Sequence, residues 1–209
     1  MKISTRITLL IIALVGAITE LIASFCLINY FIPDNLIIEK VKEFAGITPD
    51  SNMILHVRIG LAVAWSMLFI LSMPPIADAV YAGAQNRHEV FLIASIPMVV
   101  SGILVSFLLS IYWRKKMLGE SPRRRLSEFL FVIFFLYTFP YIIGTCVYYL
   151  SLVLLGIKQQ IFQYFSLQSV ITIYLLGFLL KIPLIFIING AFITIFFNII
   201  FAPRKIKKS

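Results

Sequence analysis

Five long apolar stretches, separated by short polar segments, dominate the hydrophobic pattern of the chain. They cover roughly residues 7–31, 58–83, 90–113, 128–155 and 169–200. Each reaches the length of about 20 apolar residues that a helix needs to cross about 30 Å of hydrocarbon. The pattern therefore predicts an all-α, polytopic integral membrane bundle of five spans. Residues 1–209 form a single transmembrane domain in this interpretation.

The last stretch permits a second division, because Lys181 and Pro183 interrupt it near its middle. Proline removes a backbone hydrogen bond and bends a helix, so an undivided last span is expected to kink or tilt. Dividing the stretch at this point gives six spans and moves the C-terminal tail to the other face of the membrane. Six spans are therefore the alternative to five.

The segment between the first two stretches, residues 36–45, has apolar positions at helical spacing. Ile37, Val41, Phe44 and Ala45 share one face, and the charged residues of the segment point away from it. This pattern predicts a short amphipathic helix lying in the membrane interface. Its simplest role is to connect spans 1 and 2, and the alternative is a gate or a docking surface.

Composition and charge strengthen this interpretation and orient the bundle. The chain is 61% hydrophobic and 13% charged, whereas soluble domains are about 45–50% apolar and about 25% charged. This excludes a soluble globular enzyme, a disordered protein and a disulfide scaffold. With five spans, thirteen basic residues fall on one face and four on the other. Since cytoplasmic loops are rich in Lys and Arg, we expect a plasma or inner membrane protein with a cytoplasmic C-terminus and an external N-terminus.

Loop 114–127 holds the densest group of positive charges. Such a loop is expected to anchor anionic lipid head groups, and the alternative is a site for a phosphate-bearing ligand or an acidic partner. Nucleic acid is not expected as a partner, because no aromatic platform or soluble fold accompanies the charges. The basic residues of the loop are Arg114, Lys115, Lys116, Arg123, Arg124 and Arg125.

Ionisable residues inside a span are costly and indicate function by default. Glu20, Asp78 and Lys181 are the three candidates. Glu20 and Lys181 come out at nearly equal depth, about 18–20 Å at 1.5 Å per residue, so their opposite charges predict an ion pair. Such a pair either fixes the packing of spans 1 and 5 or belongs to a site that binds a solute or relays a proton. Asn189, two turns from Lys181, adds a polar group to the same span.

A polar cluster follows the proline-interrupted second span. Arg87 and His88 lie in the short loop before span 3, and Asp78 lies one to three turns before them. As a functional feature the cluster forms the outer mouth of a cavity. As a structural feature it is a polar turn in which Asp78 pairs with Arg87. The sequence does not decide between these two interpretations.

Small residues recur in span 1 at Ala13, Gly16 and Ala17. This spacing lets helices approach closely. The face is expected to pack within the bundle, against a second copy of the chain, or against another membrane subunit.

Known catalytic patterns are missing from the chain. The two histidines, His56 and His88, lie at opposite ends of span 2, and Cys26 and Cys146 lie in apolar spans. No zinc-protease, nucleophile-elbow or phosphate-loop motif occurs. We therefore expect no catalytic residue, no metal and no cofactor, and we do not expect an enzyme.

The function that these features favour is a solute-binding or transport component of a membrane. Its polar cavity would lie between spans 1, 2 and 5. The alternative is a non-catalytic membrane subunit, scaffold or sensor that packs against a partner membrane protein.

Overall fold

The computed structural model describes residues 3–66, 87–116, 122–157, 183–196 and 198–199. In these ranges the regular structure is entirely helical, which confirms the all-α prediction. The helices are α1 (Ile3–Phe31), α2 (Asp34–Ala45), α3 (Ser51–Ser66), α4 (Arg87–Lys116), α5 (Pro122–Leu154) and α6 (Pro183–Phe196).

Three of the described helices are long and apolar enough to cross a membrane. They are the whole of α1, residues Ser95–Arg114 of α4 and residues Arg123–Leu154 of α5, with mean hydropathies of 2.0 to 2.4. They coincide with the predicted spans 7–31, 90–113 and 128–155, so the chain has the helices of a membrane protein. Large parts of the predicted spans 58–83 and 169–200 lie outside the described residues, and the predicted total of five is not confirmed.

One side of α1 is apolar yet exposed. Ile7, Ile11, Ile18 and Ile22 follow one another at helical spacing on the exposed side, whereas Leu9 on the opposite side is fully buried. A helix in a membrane bundle turns one apolar face to lipid and the other to protein. The helix α1 has this two-sided pattern.

Two apolar clusters hold the bundle together. The larger cluster joins α1, α4 and α5 and also contains Ile185 of α6. The smaller cluster joins the end of α1 to α2 and α3 through Ile28, Ile37 and Trp65. Arg58 of α3 adds an ion pair to Asp34 of α2 at the same place.

The contacts of α1 show the direction of its two long neighbours. Ser101 of α4 faces Glu20, while Val105, four residues later, faces Gly16, four residues earlier in α1. The helix α4 is therefore antiparallel to α1. In α5, Leu136 faces Gly16, and Gly144, eight residues later, lies beside Leu21. The helix α5 is therefore parallel to α1.

The helix α3 starts at the end of the bundle where α1 finishes. Gly60 packs on Tyr148 and Val63 on Gly144, so α3 runs antiparallel to α5 from the end where α5 also finishes. Ile93, near the start of α4, packs on the smaller cluster at this same end. Ser51 and Arg87 therefore lie at one end of the bundle. We call it the α2 end, and we call the other end, where α1 and α5 start and α4 finishes, the basic end.

This arrangement corrects the predicted sides of the loops. The charge count placed loops 32–57 and 114–127 on one face, but the first lies at the α2 end and the second connects helices at the basic end. The count assumed that residues 58–83 cross the bundle once and bring Arg87 to the far side. Because α3 and α4 start at the same end, the chain from Ser51 to Arg87 makes no net crossing.

A helix occupies the segment predicted to be amphipathic. The helix α2 ends at Gly46, whose φ of 69° is a left-handed conformation that favours glycine. Ile37 is buried against the smaller cluster, while Glu39 and Glu43 are exposed. Its position in the membrane interface remains a prediction.

Candidate functional site

Glu20 lies in the middle of α1 with only 1% of its surface exposed. Ser101 of α4 brings its hydroxyl to 3.5 Å from Oε2 of the carboxylate and to 3.0 Å from the Met98 carbonyl. One turn along α1, Ser24 donates to the backbone carbonyl of Glu20 at 2.9 Å. A carboxylate taken out of water needs polar neighbours, and the Ser101 hydroxyl of α4 is one such neighbour of this carboxylate.

Asn189 of α6 is the second predicted polar residue that is fully buried, with 0% exposed. Its Oδ1 accepts from the Ser106 hydroxyl at 3.1 Å, and its Nδ2 donates to the Ile185 carbonyl at 3.0 Å. Gly102 permits this approach of α4 and α6, because a Cβ there would stand 3.1 Å from Ile188. Hydrogen bonds of Asn189 therefore join α6 to α4.

Both of these predicted residues have a serine of α4 as a neighbour. Its Ser101 faces Glu20 and its Ser106 faces Asn189. The two serines are five positions apart, about 7.5 Å along a helix axis. Four serines of α4 are buried in the bundle. They are Ser95, Ser101, Ser106 and Ser110.

The remaining predicted cavity residues lie either outside the described residues or at the α2 end of the bundle. Asp78 and Lys181 lie outside the described residues, so the ion pair of Glu20 with Lys181 remains a prediction. Arg87 and His88 form the first turn of α4 at the α2 end. Arg87 is fourteen residues from Ser101, about 21 Å along the helix, so it belongs to a different region from Glu20.

The predicted basic residues lie where α4 finishes and α5 begins. Arg114, Lys115 and Lys116 are in the last turn of α4, and Arg123, Arg124 and Arg125 are in the first turn of α5. Of the arginines, Arg114 and Arg123 are exposed.

Sequence reasoning missed Glu128, a carboxylate of α5 with 0% of its surface exposed. The indole nitrogen of Trp113 donates to its Oε2 at 3.2 Å, and Nε of Arg124 lies 3.5 Å from its Oε1. The spacing of Arg124 and Glu128, four residues apart, is a helical ion-pair signal that the sequence does contain. The contact with Trp113 has no such signal.

Sequence reasoning also missed the buried state of His56 in α3, with 0% exposed. Its Nδ1 lies 2.7 Å from the Ser151 hydroxyl of α5, and its ring lies 4.3 Å from that of Tyr148. Since Ser151 donates its hydrogen to the Tyr148 carbonyl at 2.7 Å, Nδ1 donates to Ser151. The imidazole therefore does not act as a base toward this serine. Burial lowers the pKa of His56.

The small-residue face of α1 packs inside the bundle. Ala13 and Ala17 are fully buried, and a Cβ at Gly16 would stand 2.7 Å from Leu136. Of the three arrangements that the sequence left open, the chain has the internal one. A contact of this face with a second copy or another membrane subunit, the alternative that the sequence left open, remains untested.

Metal-binding and redox features are few in the part of the chain that the structure describes. No group of three or more His, Cys, Asp or Glu side chains there has an arrangement that could hold a metal ion. Cys26 and Cys146 are free thiols on exposed positions.

Comparison with protein-family models, with curated proteins and with solved structures finds no match for this chain.

Proposed function

We propose that the protein is a small membrane transport component that binds a proton or a cationic solute at Glu20. The observation that carries this proposal is a fully buried carboxylate in a membrane helix, with the Ser101 hydroxyl of a second helix 3.5 Å from its Oε2. The polar cavity of this site would lie beside α1 and α4 and would include the predicted residues of spans 2 and 5, Asp78 and Lys181, together with Asn189.

The depth of Glu20 supports this role. It is 17 residues from Ile3 and 11 from Phe31, about 25 Å and 17 Å along the helix axis. A carboxylate this far from both ends of a membrane helix is expensive unless a proton or another positive charge neutralises it. A neutralising species that exchanges makes such a residue a carrier site.

Modification by dicyclohexylcarbodiimide tests the site, because this apolar reagent attacks protonated carboxyls inside membrane proteins. The full chain in detergent is treated over a pH series, and the modified residue is located by mass spectrometry. We expect modification at Glu20, its loss in Glu20→Gln, and protection of Glu20 by one of the cations added in turn, such as Na⁺ or tetraethylammonium. Glu128 is the internal control, because it is a second fully buried carboxylate and its Oε1 lies 3.5 Å from Nε of Arg124.

Two results of this experiment would overturn the proposal. The first is an unmodified Glu20 at every pH. The second is a modification of Glu20 that neither pH nor any added cation changes, because a binding site must respond to the species that it binds.

The second candidate is a non-catalytic membrane subunit, scaffold or sensor that packs against a partner. The paired hydrogen bonds of Asn189 favour it, since a side chain used for packing needs no solute. Cysteines introduced singly at Glu20 and Asn189 separate the two candidates. Labelling by a water-soluble maleimide supports the transport component, and protection together with a co-purifying membrane protein supports the subunit.

The location proposed for the chain is a plasma or inner membrane, with the basic end in the cytoplasm. The positive-inside rule favours this orientation, and it puts the N-terminus on the cytoplasmic side, opposite to the expectation from five spans. The cytoplasmic C-terminus remains part of the proposal. Cysteines at Ser4 and Asn35, labelled from each side of sealed vesicles, test the orientation of α1. Labelling of Ser4→Cys from outside would contradict it.

A further inference from the structure

We propose that the basic end of the bundle binds the phosphodiester head group of anionic phospholipids, with Glu128 positioning the arginines of α5. This site is independent of Glu20. It is built where α4 finishes and α5 begins, two helices that both contribute side chains to the larger apolar cluster.

The two ends of the bundle differ sharply in charge. Among the residues that the structure describes, the basic end has seven cationic residues and one acidic residue, Glu128, whereas the α2 end has four cationic and five acidic residues. The cationic residues of the basic end are Arg6, Arg114, Lys115, Lys116, Arg123, Arg124 and Arg125. The charged residues of the α2 end are Lys40, Lys42, Arg58, Arg87, Asp34, Glu39, Glu43, Asp50 and Glu89.

Three arginines in the first turn of α5 are electrostatically unfavourable unless an anion lies nearby. The N-terminus of a helix carries a partial positive charge, which repels cations and attracts anions. Arg123, Arg124 and Arg125 all lie within this turn. Glu128 faces one of them, Arg124, whose side chain remains 38% exposed. An external anion beside this turn would compensate the remaining charge.

Glu128 also connects the two helices that carry the positive charges. It accepts a hydrogen bond from Trp113, next to Arg114 at the end of α4, and it pairs with Arg124 in α5. Both contacts are made by a fully buried carboxylate. Glu128 therefore holds the basic turns of α4 and α5 beside each other, so that one anion can contact both.

Lipid is the occupant that fits this surface, because apolar side chains adjoin the charges. Leu126 and Leu130 of α5 are exposed within two turns of Arg123. Exposed leucines beside cations match a phospholipid, whose acyl chains lie next to its phosphate. The three membrane-length helices that meet here place the charges where head groups lie.

Lipid binding by the full chain in a neutral detergent tests the proposal. Phosphatidylglycerol and phosphatidylcholine are added separately, and bound lipid is counted by native mass spectrometry. We expect phosphatidylglycerol to bind and phosphatidylcholine not to bind. A basic residue near an anionic surface strengthens attraction about fivefold, so Arg123→Gln with Arg124→Gln should weaken binding roughly thirtyfold.

A matched control removes the same charge from the other end. Lys40→Gln with Lys42→Gln should leave the binding of phosphatidylglycerol unchanged. Equal losses in the two double variants would overturn the site, because attraction would then depend on net charge alone. Competition by inorganic phosphate at the concentration of the lipid would also overturn it, because the site would then take a free anion and not a head group.

The positioning role of Glu128 has a separate test. If only the total charge mattered, Glu128→Gln would strengthen the binding of phosphatidylglycerol, since the variant is more positive. If Glu128 positions Arg124, this variant binds the lipid more weakly although its charge is higher. We expect weaker binding with unchanged thermal stability in lipid-free detergent, and stronger binding would overturn the positioning role.

Discussion

Glu20 and Glu128 are both fully buried carboxylates, yet their surroundings differ in every respect. Glu20 lies midway along α1, with the Ser101 hydroxyl of α4 beside its carboxylate. Glu128 lies at the basic end, with an indole donor on one oxygen and a guanidinium on the other. One glutamate is thus buried in the middle of the apolar bundle, and the other is buried at its basic end.

The difference teaches what each carboxylate is suited for. A charge beside a partly exposed arginine is balanced by the chain itself, so Glu128 is suited to hold helices and position side chains. Glu20, far from both ends of α1, is instead the residue at which we propose that a proton or a cation binds. Both carboxylates are fully buried, so the residues around them, and not their burial, distinguish Glu20 from Glu128.

The largest effect is expected from reversing the charge of Glu20. Glu20→Lys places a cation at the same depth, and we expect it to destabilise the bundle by about 3–5 kcal/mol, the usual cost of breaking a buried ion pair. Adding Lys181→Glu should restore part of this loss if the predicted pair exists. Thermal unfolding in detergent, followed by size-exclusion chromatography, measures both variants. No restoration by the second substitution would refute the pairing of Glu20 with Lys181.

The second largest effect is expected from a substitution that disturbs helix packing without changing any charge. Gly16→Leu must displace Leu136 and Val105, which already fill the space beside Gly16, and we expect a loss of about 1–3 kcal/mol from overpacking. Gly190→Leu is the control, because a Cβ at Gly190 meets no atom within 4 Å among the described residues. The same unfolding assay compares them, and equal stability of the two variants would contradict the packing of α1 described above.

A smaller effect is expected at the basic end. Glu128→Ala leaves the Trp113 indole without its acceptor, and an unsatisfied buried donor costs about 1–3 kcal/mol. Because Arg124 is partly exposed, water can solvate its charge, and we expect a value in the lower half of this range. Glu128→Gln keeps an acceptor and should recover most of the loss. If Glu128→Ala unfolds at the temperature of the unchanged protein, the buried contacts contribute no stability.

The smallest effect concerns pH and His56. Burial lowers the pKa of His56 in the folded protein, while the unfolded chain keeps the ordinary value of about 6.5. Above that value both states are neutral, and pH has no effect through this group. As pH falls below about 6.5, the unfolded chain takes up a proton that the folded chain resists, so stability decreases.

Measurement of the unfolding temperature from pH 8 to pH 5.5 tests this expectation. The decrease should become smaller in His56→Gln, which keeps a polar group beside Ser151 but cannot take up a proton in this range. An identical decrease in both proteins would show that other groups produce it.

Much of the candidate site was visible in the sequence. An acidic residue and an asparagine in apolar runs stand out, and the structure buries both Glu20 and Asn189. Glu128 escaped notice because it lies near the start of an apolar run, where a charged residue resembles an ordinary end of a span. His56 escaped because its partner, Ser151, lies ninety-five residues away, and no local pattern links two such positions.

The amino-acid sequence by itself indicated a lipid bilayer as the surroundings of this protein and helices as its local structure. Runs of more than twenty apolar residues require a bilayer and a helical backbone, because lipid provides no partner for peptide groups. Only the tertiary structure decided which loops share an end, which face of α1 is covered, and which carboxylate accepts a hydrogen bond from Trp113. These properties depend on the directions in which distant helices pack, and hydrophobicity along the chain contains no information about direction.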